Sequence, residues 1–300
     1  MQKVIDAILA KHRGLFGEDA TAERINVGFT NVIYTVNNKF IIKICTKERK
    51  EAGFKKEVDF YTANKDNTLI PTLYFADTSK ADIPYLYEIL EKLEGVSLYN
   101  VWHTFSEDQR EDIIKQLCDA MMQMHKAKSS TMNWAEHNKT IFNFLYKKAI
   151  DLQLVDYNEV KLLETALSVF DIYLPSDEFV LVHNDLHFDN VIYNNGKIKI
   201  IDFERAIYAP ADFELDILYR MVRKPWKFAS EEVAELTHPD QYKNIMGYIE
   251  KYYPHIINTP HLYKRLAIYD MIYFLRQYVN APQCTELKDD VIVAAKVLLG

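Results

Sequence analysis

The chain has 300 residues, room for one large domain or two modest ones, and 49% hydrophobic against 26% charged residues is the balance of a globular protein. A formal net charge of −7 argues against generic nucleic-acid binding, which needs a basic surface, and is compatible with a cationic substrate. Cys45, Cys118 and Cys284 are few and scattered, so no disulfide framework is implied and a reducing cytoplasm is the expected compartment.

Val4, Ile5, Ile8 and Leu9 recur at helical spacing, which predicts a short amphipathic helix over residues 1–13, closed by Gly14 and Gly17. Its apolar stretch is too short and too interrupted for a signal peptide or a membrane span, and no later window approaches spanning length without charges. From Ala22 the period shortens, and residues 24–27, 32–36 and 40–45 read as three strands joined at Gly28–Asn31 and Asn37–Lys39. A glycine in the first turn would let backbone amides approach a phosphate, although Gly28 stands alone where a full G-x-G-x-x-G loop has more. Lys43 lies within Ile41-Ile42-Lys43-Ile44; it either points to solvent from a half-buried strand or reaches a ligand.

Residues 47–65 predict a helix with Phe54, Val58 and Tyr61 on one face. Residues 71–77 and 84–91 predict two more strands. Ser106-Glu107-Asp108-Gln109 has the form of a capping box, and Ile113, Ile114, Leu117, Met121 and Met124 continue a helix to His125. Residues 139–173 predict two helices broken near 155–158. Beyond residue 212, helices are predicted over 212–223, 230–236, 239–253, 260–279 and 285–298, with breaks at prolines.

The most informative stretch is 179–205, FVLVHNDLHFDNVIYNNGKIKIIDFER. An apolar strand leads into a polar loop, followed by a hairpin turning on Asn194-Asn195-Gly196. This delivers Asp185, Asn190 and Asp202 to one rim of a small sheet. A carboxylate can orient a substrate hydroxyl and accept its proton, while an amide oxygen and a second carboxylate are hard ligands suited to Mg²⁺. The spacing H-x-D-x-x-x-x-N followed by D-F-x is that of kinase catalytic and metal loops. Alternating His183, Asp185, His187 and Asp189 could instead ligate a hydrolytic metal, but this leaves the hairpin without a role.

HNDLHFDN with IDFE resembles the aminoglycoside phosphotransferase and choline kinase family of small-molecule kinases. Asn184 and Glu204 depart from the Arg and Gly usual in protein kinases and favour the small-molecule branch. The motifs that carry the resemblance span residues 26–216. It implies an α+β, bilobal protein-kinase-like fold, with a small N-terminal lobe (1–92) of five antiparallel strands and one helix, and a larger, mainly helical lobe (93–300).

The resemblance also implies roles. Gly28, Thr30 and Asn31 would cover the phosphates of ATP or GTP, Lys43 would contact them, and Glu57 would fix Lys43. Glu91 and Leu93 would offer hinge backbone groups to the base. Asp185 would be catalytic, and Asn190 and Asp202 would hold Mg²⁺. His183 would stiffen the loop, His187 would pack in it or line the site, and Asp216, or less securely Asp212, would brace it through backbone amides. For the acceptor, the C-terminal helices offer acids (Glu231, Glu232, Glu235, Asp270) for an amino sugar and aromatics (Trp226, Tyr269, Tyr273, Phe274) for choline. A cationic, aminoglycoside-like hydroxyl acceptor, and with it antibiotic resistance, is the first expectation. Choline, ethanolamine or a sugar is the alternative, and no nucleic-acid or membrane partner is expected. A nucleotide-binding regulatory module without phosphotransfer is a reading of another class, against which the intact Lys43, Asp185, Asn190 and Asp202 speak.

Overall fold

Short apolar runs with period two become an antiparallel sheet of β1 (Ala22–Ile25), β2 (Val32–Val36), β3 (Phe40–Cys45), β4 (Leu73–Asp77) and β5 (Leu86–Glu91), in the order β1-β2-β3-β5-β4. These coordinates are a computed structural model and describe residues 1–25, 31–129, 132–174 and 178–300. Alternation along β3 gives the sheet two different faces. Ile42 and Ile44 join Tyr87 and Ile89 in a core that also takes Ile5 and Ile8 of the helix Gln2–Lys11. Cys45 and Leu86 pack instead with Phe54 and Val58 of the helix Glu51–Ala63. Lys43 is thus on a covered strand, not a half-solvated one.

Two further strands, β9 (Val191–Asn194) and β10 (Lys197–Ile200), form the expected hairpin, and β6 (Val96–Ser97) pairs with β9. The chain can turn into β6 only because Gly95 has φ 118° and no side chain; a Cβ there would stand 2.3 Å from the Tyr193 carbonyl oxygen. By contact, all these elements form one unit, Met1–Thr104 with Phe188–Ala206. A boundary after residue 92 therefore does not describe the contacts: β6 is sewn to β9, and Phe188 packs on Trp102 with ring centroids 4.7 Å apart.

The second unit comprises Phe105–His187 and Ile207–Gly300. Its sheet is β7 (Lys128–Ser129), β8 (Phe179–Val182) and β11 (Ile207–Pro210), with β8 central. The flanking strands are too short to show a period and were not foreseen. Around it stand the helices Glu107–Met124, Trp134–Asp151, Tyr157–Ser168, Leu215–Arg223, Ile245–Tyr252, Leu262–Asn280 and Thr285–Leu299. The first begins at the capping box: Gln109 N donates to Ser106 Oγ at 3.3 Å, and Ser106 N to Gln109 Oε1 at 2.9 Å. The break near 155–158 is Asp156 capping the helix Tyr157–Ser168. Among the described residues no helix is long and apolar enough to cross a membrane.

Candidate active site

In the first unit, Lys43 and Glu88 stand opposite each other across β3 and β5. Lys43 Nζ donates to Glu57 Oε2 at 2.5 Å and to Asp202 Oδ1 at 3.2 Å. Its side chain is 10% exposed and that of Glu57 1%, whereas Asp202 is 44% exposed. Burial alone would lower the Lys43 pKa, but the charges of Glu57 and Asp202 outweigh it and raise the pKa, so the ammonium is kept. Burial, assisted by the Asp202 charge, pushes Glu57 up to about 6 against the pull of Lys43.

Glu57 is held in place by its helix, and the helix by the D-F-E segment. Phe203 stacks on Phe60 with centroids 3.8 Å apart. Gly53 admits Glu204, to whose Cγ an added Cβ would come within 2.9 Å. Glu204 in turn accepts from Asn31 Nδ2 at 3.2 Å and lies 3.6 Å from Lys50 Nζ. Asp202 itself has φ 67°, a left-handed conformation that Asp and Asn tolerate better than most residues and that functional loops often keep.

Asn190 and Asp202 sit at the two ends of the hairpin's open side: Val191 pairs with Ile200, and Ile201 N donates to the Asn190 carbonyl at 3.0 Å. Asn190 is 8% exposed. Oxygens of Glu57, Asp202 and Glu204 lie within 4.8 Å of one another. That all-oxygen donor set fits a hard divalent cation such as Mg²⁺. Glu204 is an addition to the residues foreseen, which were Asn190 and Asp202. Gly28 and Thr30 lie outside the described residues. Glu91 is fixed at the end of β5: its backbone N donates to Thr72 O at 2.8 Å, and its carboxylate accepts from Lys199 Nζ at 3.2 Å. Leu93 follows on the same segment, half-buried.

The second unit carries the loop that leaves β8. His183 is wholly buried, Asn184 takes φ 60°, and half-buried Asp185 is followed by a tight turn in which His187 N donates to the Asp185 carbonyl at 2.9 Å. Leu186, 1% exposed, anchors the turn. The brace differs from expectation. The backbone amide of His183 donates to Glu214 Oε2 at 2.8 Å, and His125 Nε2 lies 3.5 Å from the same oxygen. Among the described residues no backbone amide donates to Asp216; one helical turn from Arg220, it receives both guanidinium nitrogens of that residue. Asp212 accepts from Arg265 at 2.7 and 2.9 Å and from the Tyr269 hydroxyl at 3.1 Å.

Sequence reasoning missed Glu88, Glu204 and Glu214. Glu88 was signalled by a lone acid inside the apolar run Leu86–Leu90, at the position facing Lys43. Glu214 had no such signal, being one of three acids in five residues.

A sequence model of a phosphotransferase enzyme family matches residues 21–243. No curated protein matches the chain in sequence. Among solved structures, the chain is similar to an ADP-bound aminoglycoside phosphotransferase, APH(2'')-Ib, with a TM-score of 0.72 at 15% identity over 98% of this chain and 97% of that one. The streptomycin–ATP ternary complex of APH(2'')-IIa gives 0.69 at 15% identity over 98% of each chain. APH(4)-Ia gives 0.62 at 15% identity over 99% and 97%. At such identities the likeness carries the fold, and the α+β kinase-like fold class is the one expected.

Proposed function

Since the chain belongs to the phosphotransferase enzyme family, we propose that it moves the γ-phosphate of ATP or GTP, with Mg²⁺, to a hydroxyl group of a small molecule. The observation that carries the reading is the buried Lys43 ammonium shared between Glu57 and the more open Asp202. A lysine so fixed cannot relax away from a phosphate, so positive charge is preorganised where the transition state needs it. Asn31, Glu91 and Leu93 belong to the nucleotide side of this reading, as do Gly28 and Thr30.

Asn190 and Asp202, with Glu204 near, are the residues that would hold Mg²⁺. Bound there, the ion would supply charge neutralisation to the phosphates. Asp185 orients the acceptor hydroxyl for in-line attack and receives its proton. Glu214, by fixing the His183 amide, positions the loop that bears Asp185. Positioning matters more here than basicity, because a loose transition state leaves little proton transfer to drive.

A second reading concerns the acceptor. Solved structures similar to this chain hold streptomycin, gentamicin and kanamycin, which favours a cationic amino sugar and a resistance role; choline or ethanolamine would also be cationic. The deciding experiment is Mg²⁺-dependent consumption of ATP and of GTP with a panel of aminoglycosides, choline, ethanolamine, sugars and sugar acids. Stimulation by one acceptor class, lost in Asp185→Ala, is expected. Nucleotide bound but never consumed, with or without any acceptor, would favour a regulatory module.

A further inference from the structure

In the second unit, the helices Glu107–Met124 and Ile245–Tyr252 are joined side by side through polar contacts. Glu107 Oε1 accepts from Asn244 Nδ2 and from the Tyr248 hydroxyl, each at 2.5 Å. One turn on, Glu111 Oε1 accepts from the Tyr252 hydroxyl at 2.7 Å and from Lys251. Where the two helices end, the contacts pass into the interior. His125 caps the first helix and Tyr253 the second; both are buried, and His125 Nδ1 lies 2.8 Å from the Tyr253 hydroxyl.

Beyond His125 lies the carboxylate that braces the loop bearing Asp185. His125 Nε2 is 3.5 Å from Glu214 Oε2, the oxygen that also accepts from the His183 amide at 2.8 Å. Glu214 is 2% exposed, and among the described residues nothing donates to its other oxygen, Oε1. A buried carboxylate with so few polar partners takes its orientation from the ones it has. One of these is the loop itself. His125 is the other, and it comes from a separate helix.

Tyr253 settles where the ring proton of His125 sits. Burial, with the Glu214 charge, pushes the Tyr253 pKa up to about 12, so the hydroxyl keeps its proton. Among the described residues its only hydrogen-bond partner is His125. Donation to Nδ1 leaves the ring N–H on Nε2, facing Glu214 Oε2. The opposite tautomer would set the Nε2 lone pair against a carboxylate oxygen, two acceptors face to face. Both contacts of the ring therefore select one tautomer.

We infer that His125 and Tyr253 are positioning residues: the Tyr253 hydroxyl orients the His125 ring, the ring N–H holds Glu214, and Glu214 fixes the His183 amide two residues before Asp185. The inference rests on the proposed role of Asp185 and deepens it, since it traces what holds that residue's loop in place. The relay acts on rate through distance. A displacement of about 1 Å at a reacting group can cost a factor of about 10².

Two kinds of measurement on the full chain test the relay, and the first needs no turnover. Nitrogen-15 NMR reads the ring protonation of His125, assigned by the signals lost in His125→Gln, and hydrogen exchange reads the His183 amide. The wild type should carry the ring proton on Nε2, with Nδ1 unprotonated. His125→Leu keeps bulk but cannot donate, and should speed His183 exchange by about tenfold; Tyr253→Phe, which removes one oxygen, should speed it by about threefold. The Leu181 amide, bonded to the Ala127 carbonyl at 3.0 Å, reports general loss of stability and should change less. Steady-state consumption of MgATP, with water as the acceptor, should fall about tenfold in kcat for His125→Leu and about threefold for Tyr253→Phe. The nucleotide dissociation constant should stay within about twofold. His125→Gln restores a donor toward Glu214 and should recover most of both losses.

A wild-type ring proton on Nδ1, equal acceleration of His183 and Leu181, an unchanged kcat in both variants, or losses that His125→Gln does not recover would each overturn the inference. A wild type that binds ATP and never consumes it would count against phosphotransfer alone; ring protonation and exchange would then decide the relay.

Discussion

Replacing Glu88 by Gln should change how stability depends on pH, and the structure gives both sign and size. Glu88 is 0% exposed, and among the described residues neither of its carboxyl oxygens has a hydrogen-bond partner. Burial, with the nearby Glu57 charge, raises its pKa well above the ordinary 4.5, against the opposing pull of Lys43. The folded state therefore keeps a proton that the unfolded chain releases. Wild-type stability must fall as pH rises above the unfolded value, by at most about 1.4 kcal/mol per pH unit, until Glu88 ionises in the fold. Glutamine has nearly the same shape and never ionises, so this slope disappears. Its amide brings two donors with nothing to receive them, at a cost of about 1–3 kcal/mol that is independent of pH.

Glu88→Gln should thus be less stable than wild type near pH 5 and gain on it steadily toward pH 8, by about 1.4 kcal/mol per unit over the titrating range. Urea unfolding of both proteins at several pH values, with midpoints and m-values compared, is the assay. Glu57, raised to about 6, adds a slope of the same sign but is present in both proteins. Parallel stability profiles across the whole range would refute the reasoning, since they would mean that Glu88 either is solvated or ionises at its ordinary pKa.

Asp185→Ala should cut turnover by a factor of about 10² or more while the nucleotide dissociation constant stays within about twofold; loss of binding in step with turnover would contradict its role toward the acceptor. Lys43→Met strands Glu57 without its partner, so Glu57 should titrate above its wild-type value of about 6, readable by carboxyl NMR, alongside loss of turnover. Arg265→Ala leaves the buried Asp212 charge without its bidentate partner and should cost about 3–5 kcal/mol in denaturant unfolding. Gly95→Ala sets a methyl group 2.3 Å from the Tyr193 carbonyl oxygen at φ 118° and should lower stability by more than about 1 kcal/mol, a φ-bound loss that Gly14→Ala, with open space around it, should not share.

The parts of the fold that could be read from the chain are those where one local signal suffices. The β9–β10 hairpin is announced by Asn194-Asn195-Gly196, and the helix Glu107–Met124 by Ser106 and Gln109. Lys43 and Glu57 come together as the resemblance implied, because the β3 face that bears Lys43 is covered by the helix that bears Glu57. What could not be read depends on pairings between distant segments. β7 and β11 are strands only because β8 lies between them. The partner of Asp216 is a helical neighbour, Arg220, and nothing in the D-x-x-x-D spacing distinguishes such a pair from an amide brace.

The distribution of charge shows the same limit and its cause. A net charge of −7 suggested a cationic substrate, yet net charge sums over a surface most of which no ligand touches. Arg220 and Arg223 end the helix Leu215–Arg223, and Lys224 and Lys227 follow within four residues, a basic stripe plain in the sequence. Glu286 and Asp290, one turn apart on the last helix, answer that stripe, with Lys224 and Lys227 both reaching them. The basic stripe was therefore visible in the sequence, but apart from Asp216 its counter-charges, Asp270, Glu286 and Asp290, lie 47 to 66 residues away, so only the fold shows which acids are spent on it. With Asp216, Asp270, Glu286 and Asp290 counted, four carboxylates meet the four cations, so the stripe is spent on the fold and leaves no net charge for a ligand to read.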